Sequence, residues 1–169
     1  MKLFLASLVT VFALAVSAQA DVTAKIEKVH LCCDSCVKGV NKAIEGVSGV
    51  TADSDKDAMT VILKGPDKAT VQKAADALIE AGYWGESSDV KIESMTGAKD
   101  KKVQTAKITG VHLCCPKCVK AVDKITKGVS GVASEDATKG AKSFTVTGDF
   151  NEKELMDALQ KGGLTGKIE

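Results

Sequence analysis

All six cysteines and both histidines of this chain lie in two copies of one short motif. Residues 30–38 have the sequence His-Leu-Cys-Cys-Asp-Ser-Cys-Val-Lys, and residues 112–120 have the sequence His-Leu-Cys-Cys-Pro-Lys-Cys-Val-Lys. Thiolate and imidazole groups are the ligands that soft and borderline metal ions such as Cu(I), Hg(II) and Zn(II) prefer. The two motifs therefore indicate where the chemistry of the protein lies.

Each motif contains a Cys-x-x-Cys pair, Cys33 with Cys36 and Cys115 with Cys118. We predict that the second cysteine of each pair lies in the first turn of a helix and the first cysteine just before it. The positive end of the helix dipole then favours thiolate over thiol and prepares the sulfurs for a metal. A disulfide within each motif is the alternative. Three cysteines per motif would leave one thiol unpaired, and a bond between the neighbours Cys32 and Cys33 would strain the loop.

Four further residues are candidate ligands: Cys32, Cys114, His30 and His112. His30 ends a predicted strand two residues before Cys32, so both side chains point the same way. Three cysteines and one histidine also form a tetrahedral zinc set. The alternatives are that Cys32 and Cys114 are small residues filling the loop, and that each histidine is a strand-end residue hydrogen-bonded to its loop.

The periodicity around each motif predicts strand, helix, strand, strand, helix, strand. Residues 21–93 form the first domain, residues 94–102 an exposed linker, and residues 103–169 the second domain. In the first domain we expect Thr70 to cap the second helix and 90–92 to be the last strand. Met59 and Met156 are expected in the cores.

The segment 1–20 is predicted to be a cleaved signal peptide. Lys2 precedes an apolar run from 3 to 16, and the small-x-small pattern ending at Ala20 suits signal peptidase. We expect export to the periplasm, with secretion beyond the cell as the alternative, and no membrane insertion after cleavage. The remaining chain is neutral once Lys2 is removed and has no arginine, which argues against nucleic acid as a partner.

A Cys-x-x-Cys between a strand and a helix, inside a repeat of about 70 residues with this element order, resembles the heavy-metal-associated domain. Copper chaperones and the periplasmic mercury-binding protein belong to that family, whose motif is Gly-Met-x-Cys-x-x-Cys. The resemblance implies an α+β fold of two tandem ferredoxin-like βαββαβ domains, each with a four-stranded antiparallel sheet and two helices on one face. It implies these metal ligands: Cys33, Cys36, Cys115 and Cys118. Leu31 and Leu113 replace the buried methionine of the family, and His30 and His112 replace its glycine.

The predicted function is binding of a soft metal for sequestration or transfer, with no catalytic residues. Cu(I) is the first choice, Zn(II) the second and Hg(II) a further alternative, with up to one ion per domain, independent or shared across facing loops. A metal-transporting membrane protein is the expected partner. The alternatives are a periplasmic thiol-disulfide oxidoreductase and an interaction module with structural disulfides. Tyr83 and Trp84 are predicted to be either an interdomain contact or a lid beside the first loop.

Overall fold

A computed structural model describes residues 21–169, so the predicted signal peptide lies outside the described residues. No helix in the described part is long and apolar enough to cross a membrane. The helices and strands are β1 (Val22–Ile26), α1 (Asp34–Ile44), β2 (Thr51–Asp55), β3 (Thr60–Gly65), α2 (Lys68–Glu80), β4 (Lys102–Thr109), α3 (Pro116–Lys127), β5 (Val132–Glu135), β6 (Ser143–Asn151), α4 (Glu152–Lys161) and β7 (Lys167–Ile168).

Repeat one is a three-stranded antiparallel sheet, in the order β1-β3-β2, covered on one face by α1 and α2. Its burial alternates with the strand period, because Val61 and Leu63 of β3 are fully buried while Ile62 between them is exposed. The helices meet this buried face with Val40 of α1 and Val71 of α2, both fully buried. The predicted layering is therefore present in repeat one.

Repeat two is a complete ferredoxin-like unit with strand order β5-β6-β4-β7, all antiparallel. Phe144 and Val146 of β6 are buried together with Leu155 and Leu159 of α4. The predicted α+β class and ferredoxin-like architecture are confirmed, with antiparallel sheets of three and four strands and four helices in the described chain.

The last strand of repeat one was predicted wrongly. Residues 90–92 form no strand. The fourth position of the sheet is held by an isolated bridge between Glu27 and Glu86, whose backbone groups exchange hydrogen bonds of 2.8 and 2.9 Å. Gly85 permits this approach, since a Cβ there would lie 2.6 Å from the Glu27 carbonyl oxygen. Repeat one therefore lacks a regular fourth strand although its chain follows the same path.

The second helix of repeat one also begins differently from the prediction. Asp67, and not Thr70, is the N-cap of α2, because its carboxylate accepts hydrogen bonds from the Thr70 N–H and hydroxyl, both 2.8 Å long. Asp at this position is a preferred cap residue.

The segment between the repeats, predicted to be an exposed linker, is hydrogen-bonded to repeat two. The Ile168 N–H donates to the Thr96 carbonyl over 2.7 Å, and the Lys99 N–H donates to the Glu152 carboxylate over 2.9 Å. The hydroxyl of Thr165 also donates to that of Ser94. These bonds limit the freedom of the connection and hold the first repeat near the second.

The two repeats dock through equivalent glycine-containing turns, with Tyr83 and Leu164 facing each other in an antiparallel bridge. The Trp84 N–H donates to the Gly163 carbonyl and the Thr165 N–H donates to the Gly82 carbonyl, over 3.1 and 3.0 Å. A further bond of 3.2 Å joins the His30 N–H to the same Gly163 carbonyl.

Both glycines of this docking have positive φ angles, +89° at Gly82 and +77° at Gly163. A Cβ at Gly82 would lie 2.5 Å from the backbone nitrogen of His112, and one at Gly163 would lie 2.5 Å from that of His30. The two contacts are related by the repeat symmetry. Only glycine fits this backbone conformation and approach, and the approach brings each turn against the cysteine motif of the other repeat.

Candidate metal centre

Each Cys-x-x-Cys pair lies at the start of a helix, as the sequence predicted. Cys33 and Cys115 are the N-cap residues of α1 and α3, both with extended backbone angles. Cys36 and Cys118 lie in the first turn on the buried face and are fully buried. The positive ends of both helix dipoles are therefore directed at the cysteine sulfurs, which stabilises thiolate.

The two cysteine loops face each other, and their sulfurs form one cluster. Sulfur–sulfur distances within a repeat include 3.6 Å for Cys32–Cys36 and 3.7 Å for Cys115–Cys118. Distances between the repeats are similar, with 3.5 Å for Cys32–Cys118 and 3.9 Å for Cys36–Cys118. A disulfide bond is about 2.05 Å long, so these are separate thiols. Sulfurs sharing one tetrahedral metal at bonds of about 2.3 Å would be about 3.8 Å apart, which matches the observed spacing.

All eight predicted candidate residues fall in this cluster. The described residues contain three groups whose ligand atoms lie within 4.8 Å of one another: Cys36, His112, Cys114 and Cys118; His30, Cys32 and Cys118; and Cys32, Cys33 and Cys115. Each group takes ligands from both repeats. The structure thus places the candidates at one centre between the repeats and not at two separate centres, while their role as metal ligands remains a prediction.

The two histidines have different surroundings although their sequence context is the same. His112 stacks on the Tyr83 ring with centroids 4.4 Å apart, and its Nε2 lies 3.1 Å from the Tyr83 hydroxyl. That hydroxyl donates to the Cys36 carbonyl over 2.8 Å. Leu164 stands in repeat two where Tyr83 stands in repeat one, and the buried Nε2 of the corresponding histidine, His30, has no hydrogen-bond partner in the described part of the chain.

Tyr83 therefore fulfils both roles that the sequence left open. It contacts the other repeat and it also lies beside the first cysteine loop. Gly39 on α1 makes room for it, because a Cβ there would meet the Tyr83 hydroxyl and lie 2.8 Å from a ring carbon of His112. Repeat two has Ala121 in place of Gly39 and Leu164 in place of Tyr83. The repeat with the larger side chain in the turn therefore has the smaller residue on the helix.

The close packing of the thiols lowers the pKa of some cysteines and raises that of others. The hydrogen bond from the Cys118 thiol lowers the pKa of Cys36 to about 2, and the same interaction raises the pKa of Cys118. Burial is the main cause of the raised pKa values of Cys32 and Cys114. Burial also opposes ionisation of Cys115, yet hydrogen bonds from the Cys118 N–H and neighbouring thiols lower its pKa to about 6. At neutral pH these shifts favour thiolate at Cys36 and Cys115 and the protonated thiol at the other three residues, Cys32, Cys114 and Cys118.

Burial also affects the two rings at the centre. It lowers the pKa of His30, which favours the neutral imidazole that metals bind. It raises the pKa of Tyr83, which keeps the phenol protonated as a hydrogen-bond donor.

The cluster is reached from solvent through an open pocket that Cys32 and Cys33 share with Lys56, Met59 and Lys117. Met59 was expected in the core, but it is 51% exposed and has a φ of +54°. The prediction that Met156 is buried is confirmed. The Lys117 ammonium lies 3.4 Å from the Cys32 carbonyl, across the interface. Nothing in the local sequence signals that these residues surround the loops, since their proximity depends on docking.

No protein-family model matches the sequence. The chain is similar to heavy metal-associated isoprenylated plant protein 1 of Arabidopsis thaliana, with 27% identity over 145 residues, which covers 79% of this chain. The match spans 59% of that relative's own length. A solved structure of the N-terminal soluble domains of CopA from Bacillus subtilis aligns with 89% of this chain and 95% of its own, at 17% identity and a TM-score of 0.35. The resemblance to heavy-metal-associated proteins inferred from the motifs thus has a counterpart in a sequence relative.

Proposed function

We propose that the protein is a carrier of soft metal ions that sequesters or transfers its metal through the two facing cysteine loops. Cu(I) is the first choice, because thiolates select it strongly and the site offers sulfur in excess of nitrogen. Zn(II) and Hg(II) are the alternatives. The protein has no catalytic role in this proposal, since the metal is its cargo.

One observation carries the proposal. The cysteine sulfurs of both repeats lie at the separations expected around a shared metal, 3.5–3.9 Å, beside two helix N-termini. Buried neighbours support this arrangement, because Leu31 and Leu113 lie in the core directly before the cysteines and fix the loop path. The heavy-metal-associated relative supports the same class of function.

The test is metal content by elemental analysis and native mass spectrometry on protein purified without oxygen. Each Cys-x-x-Cys pair is replaced by serine in turn, Cys33 with Cys36 and Cys115 with Cys118. The wild type is expected to retain a soft metal, which the elemental analysis identifies. Both double variants are expected to lose affinity for the metal, because every candidate ligand group contains sulfurs from both repeats.

Contrary outcomes would favour the alternatives. A protein that remains metal-free after reduction and reconstitution, and that isolates with disulfides within each pair, would support an oxidoreductase or an interaction module. If each variant loses one metal ion and keeps the other, the protein has two independent sites that bind one ion each.

We also propose that the carrier works after export, with a metal-transporting membrane protein as its partner. The apolar leader that precedes Asp21 is the basis for export. Cell fractionation with mass determination of the mature amino terminus tests this proposal. A periplasmic species beginning at Asp21 is expected, and a cytoplasmic species with the leader intact would contradict it.

A further inference from the structure

The cysteine sulfurs form triangles, and each triangle takes sulfurs from both repeats. One consists of Cys36, Cys114 and Cys118, with edges of 3.6, 3.7 and 3.9 Å. Another consists of Cys32, Cys115 and Cys118, with edges of 3.5, 3.7 and 3.5 Å. The centre of such a triangle is about 2.1 Å from each corner, close to a metal–thiolate bond of about 2.3 Å. Each triangle therefore fits one three-coordinate ion.

These two triangles share only the Cys118 sulfur, so an ion in each would make that thiolate a bridge. The remaining short pairs extend the same pattern to Cys33, which lies 3.8 Å from Cys36 and 3.6 Å from Cys115. The nine short sulfur pairs are nine of the twelve edges of one distorted octahedron, and the other three edges, Cys32–Cys33, Cys33–Cys114 and Cys114–Cys115, are not among the short pairs. Its opposite corners are Cys32 with Cys114, Cys33 with Cys118, and Cys36 with Cys115.

An octahedron of thiolates has four alternate faces that touch only at corners. If each such face holds one ion, every ion has three sulfurs and every sulfur bridges two ions. We propose that the six cysteines bind about four Cu(I) ions as one polynuclear cluster within a single chain. This inference rests on the soft-metal function proposed above, and it assigns a capacity beyond one ion per domain.

The charge of such a cluster suits its location. The six thiols lose their protons to solvent as Cu(I) binds, and copper keeps its oxidation state. Six thiolates with about four monovalent ions carry a net charge of about −2. The N-termini of α1 and α3 supply positive dipole ends at Cys33 and Cys115, and the Lys117 ammonium lies beside the first loop.

The test is an anaerobic titration of the full-length reduced protein with Cu(I) against a competing chelator, followed by native mass spectrometry and copper X-ray absorption. Binding is expected to be cooperative, with apo protein and a species of about four coppers dominating. A copper–copper scattering shell is expected, together with the luminescence of water-shielded Cu(I)–thiolate clusters. Saturation at one or two coppers without that shell would refute the cluster while leaving the soft-metal carrier intact. Absence of copper binding would refute the cluster and Cu(I) as the cargo, and the soft-metal carrier would be refuted as well if Zn(II) and Hg(II) also failed to bind.

A variant separates the cluster from ordinary Cys-x-x-Cys binding. Replacing Cys32 and Cys114 together by serine leaves both Cys-x-x-Cys pairs in place but removes opposite corners of the octahedron. The variant is expected to bind at most half the copper of the wild type and to lose the copper–copper shell. The control is Met95→Ser, because Met95 is a soft side chain that is 87% exposed and absent from the cluster. Unchanged capacity in the double cysteine variant would overturn the proposal.

Discussion

Replacing Gly163 by alanine tests whether the repeats dock as described. Gly163 has a φ of +77°, and alanine in this left-handed region costs about 1–2 kcal/mol of backbone strain. Its Cβ would lie 2.5 Å from both the His30 nitrogen and the Lys28 carbonyl oxygen, so the repeats must move apart. That movement weakens the three backbone hydrogen bonds between the repeats, each contributing about 1 kcal/mol. We expect a total loss of about 4 kcal/mol in the free energy of unfolding.

Gly140 provides a matched control, because its φ is +80° and a Cβ there would meet nothing within 4 Å. Gly140→Ala therefore carries the backbone strain of about 1–2 kcal/mol without the clash. Both variants are measured by urea unfolding of the reduced protein, monitored by circular dichroism. Anaerobic Cu(I) titration of the same samples gives the copper capacity, which is expected to fall in Gly163→Ala and to stay at the wild-type value in Gly140→Ala.

Equal effects of the two substitutions would refute the reasoning. In that case the contact between the turn of one repeat and the motif of the other would contribute nothing to stability. Equal copper capacity in both variants would show that the sulfurs do not depend on docking, and the shared centre would lose its structural basis.

Three further predictions concern other parts of the structure, and urea unfolding tests each of them. Gly39→Ala should destabilise the protein by about 2 kcal/mol through overpacking, because its Cβ meets the Tyr83 hydroxyl; adding Tyr83→Leu should recover part of that loss in a double-mutant cycle. Met59 is exposed and has a positive φ, so Met59→Asn should raise the unfolding free energy by about 0.5–1 kcal/mol, since Asn tolerates this conformation. The exposed control Met95→Asn should change it by about 0.5 kcal/mol at most. The hydrogen bonds of the α2 cap lower the pKa of Asp67. The Asp67 charge therefore stabilises the fold above the ordinary carboxyl pKa, and this stabilisation is lost as the pH falls through the lowered pKa. Asp67→Asn should flatten the acid side of the pH–stability curve.

The sequence was sufficient to predict the elements around each cysteine motif. Val40 and Ile44 recur at helical spacing after Cys36, and β3 shows the strand period, so local burial patterns determined the elements there. The prediction of the last strand of repeat one was wrong for a physical reason. The stretch 90–92 alternates between buried Val90 and exposed Lys91 without strand pairing, whereas Glu86 pairs with Glu27 through its backbone.

The shared centre was harder to predict because it depends on contacts between the repeats. Tyr83 was predicted to be either an interdomain contact or a lid, but nothing local in the sequence indicates that it faces Leu164. The signal was present in the glycines, since Gly82 and Gly163 occur at equivalent places in the two repeats. A repeated glycine beside a buried residue indicates close backbone approach, but it does not name the partner.

The central claim is that both cysteine loops hold soft metal at one centre between the repeats. Anomalous diffraction at the copper edge, from crystals of the Cu(I)-loaded protein grown without oxygen, tests it most directly. We predict anomalous peaks clustered between α1 and α3, within bonding distance of both Cys36 and Cys118. Separate peaks that each contact the cysteines of one repeat only, or no peaks at the loops, would contradict the account.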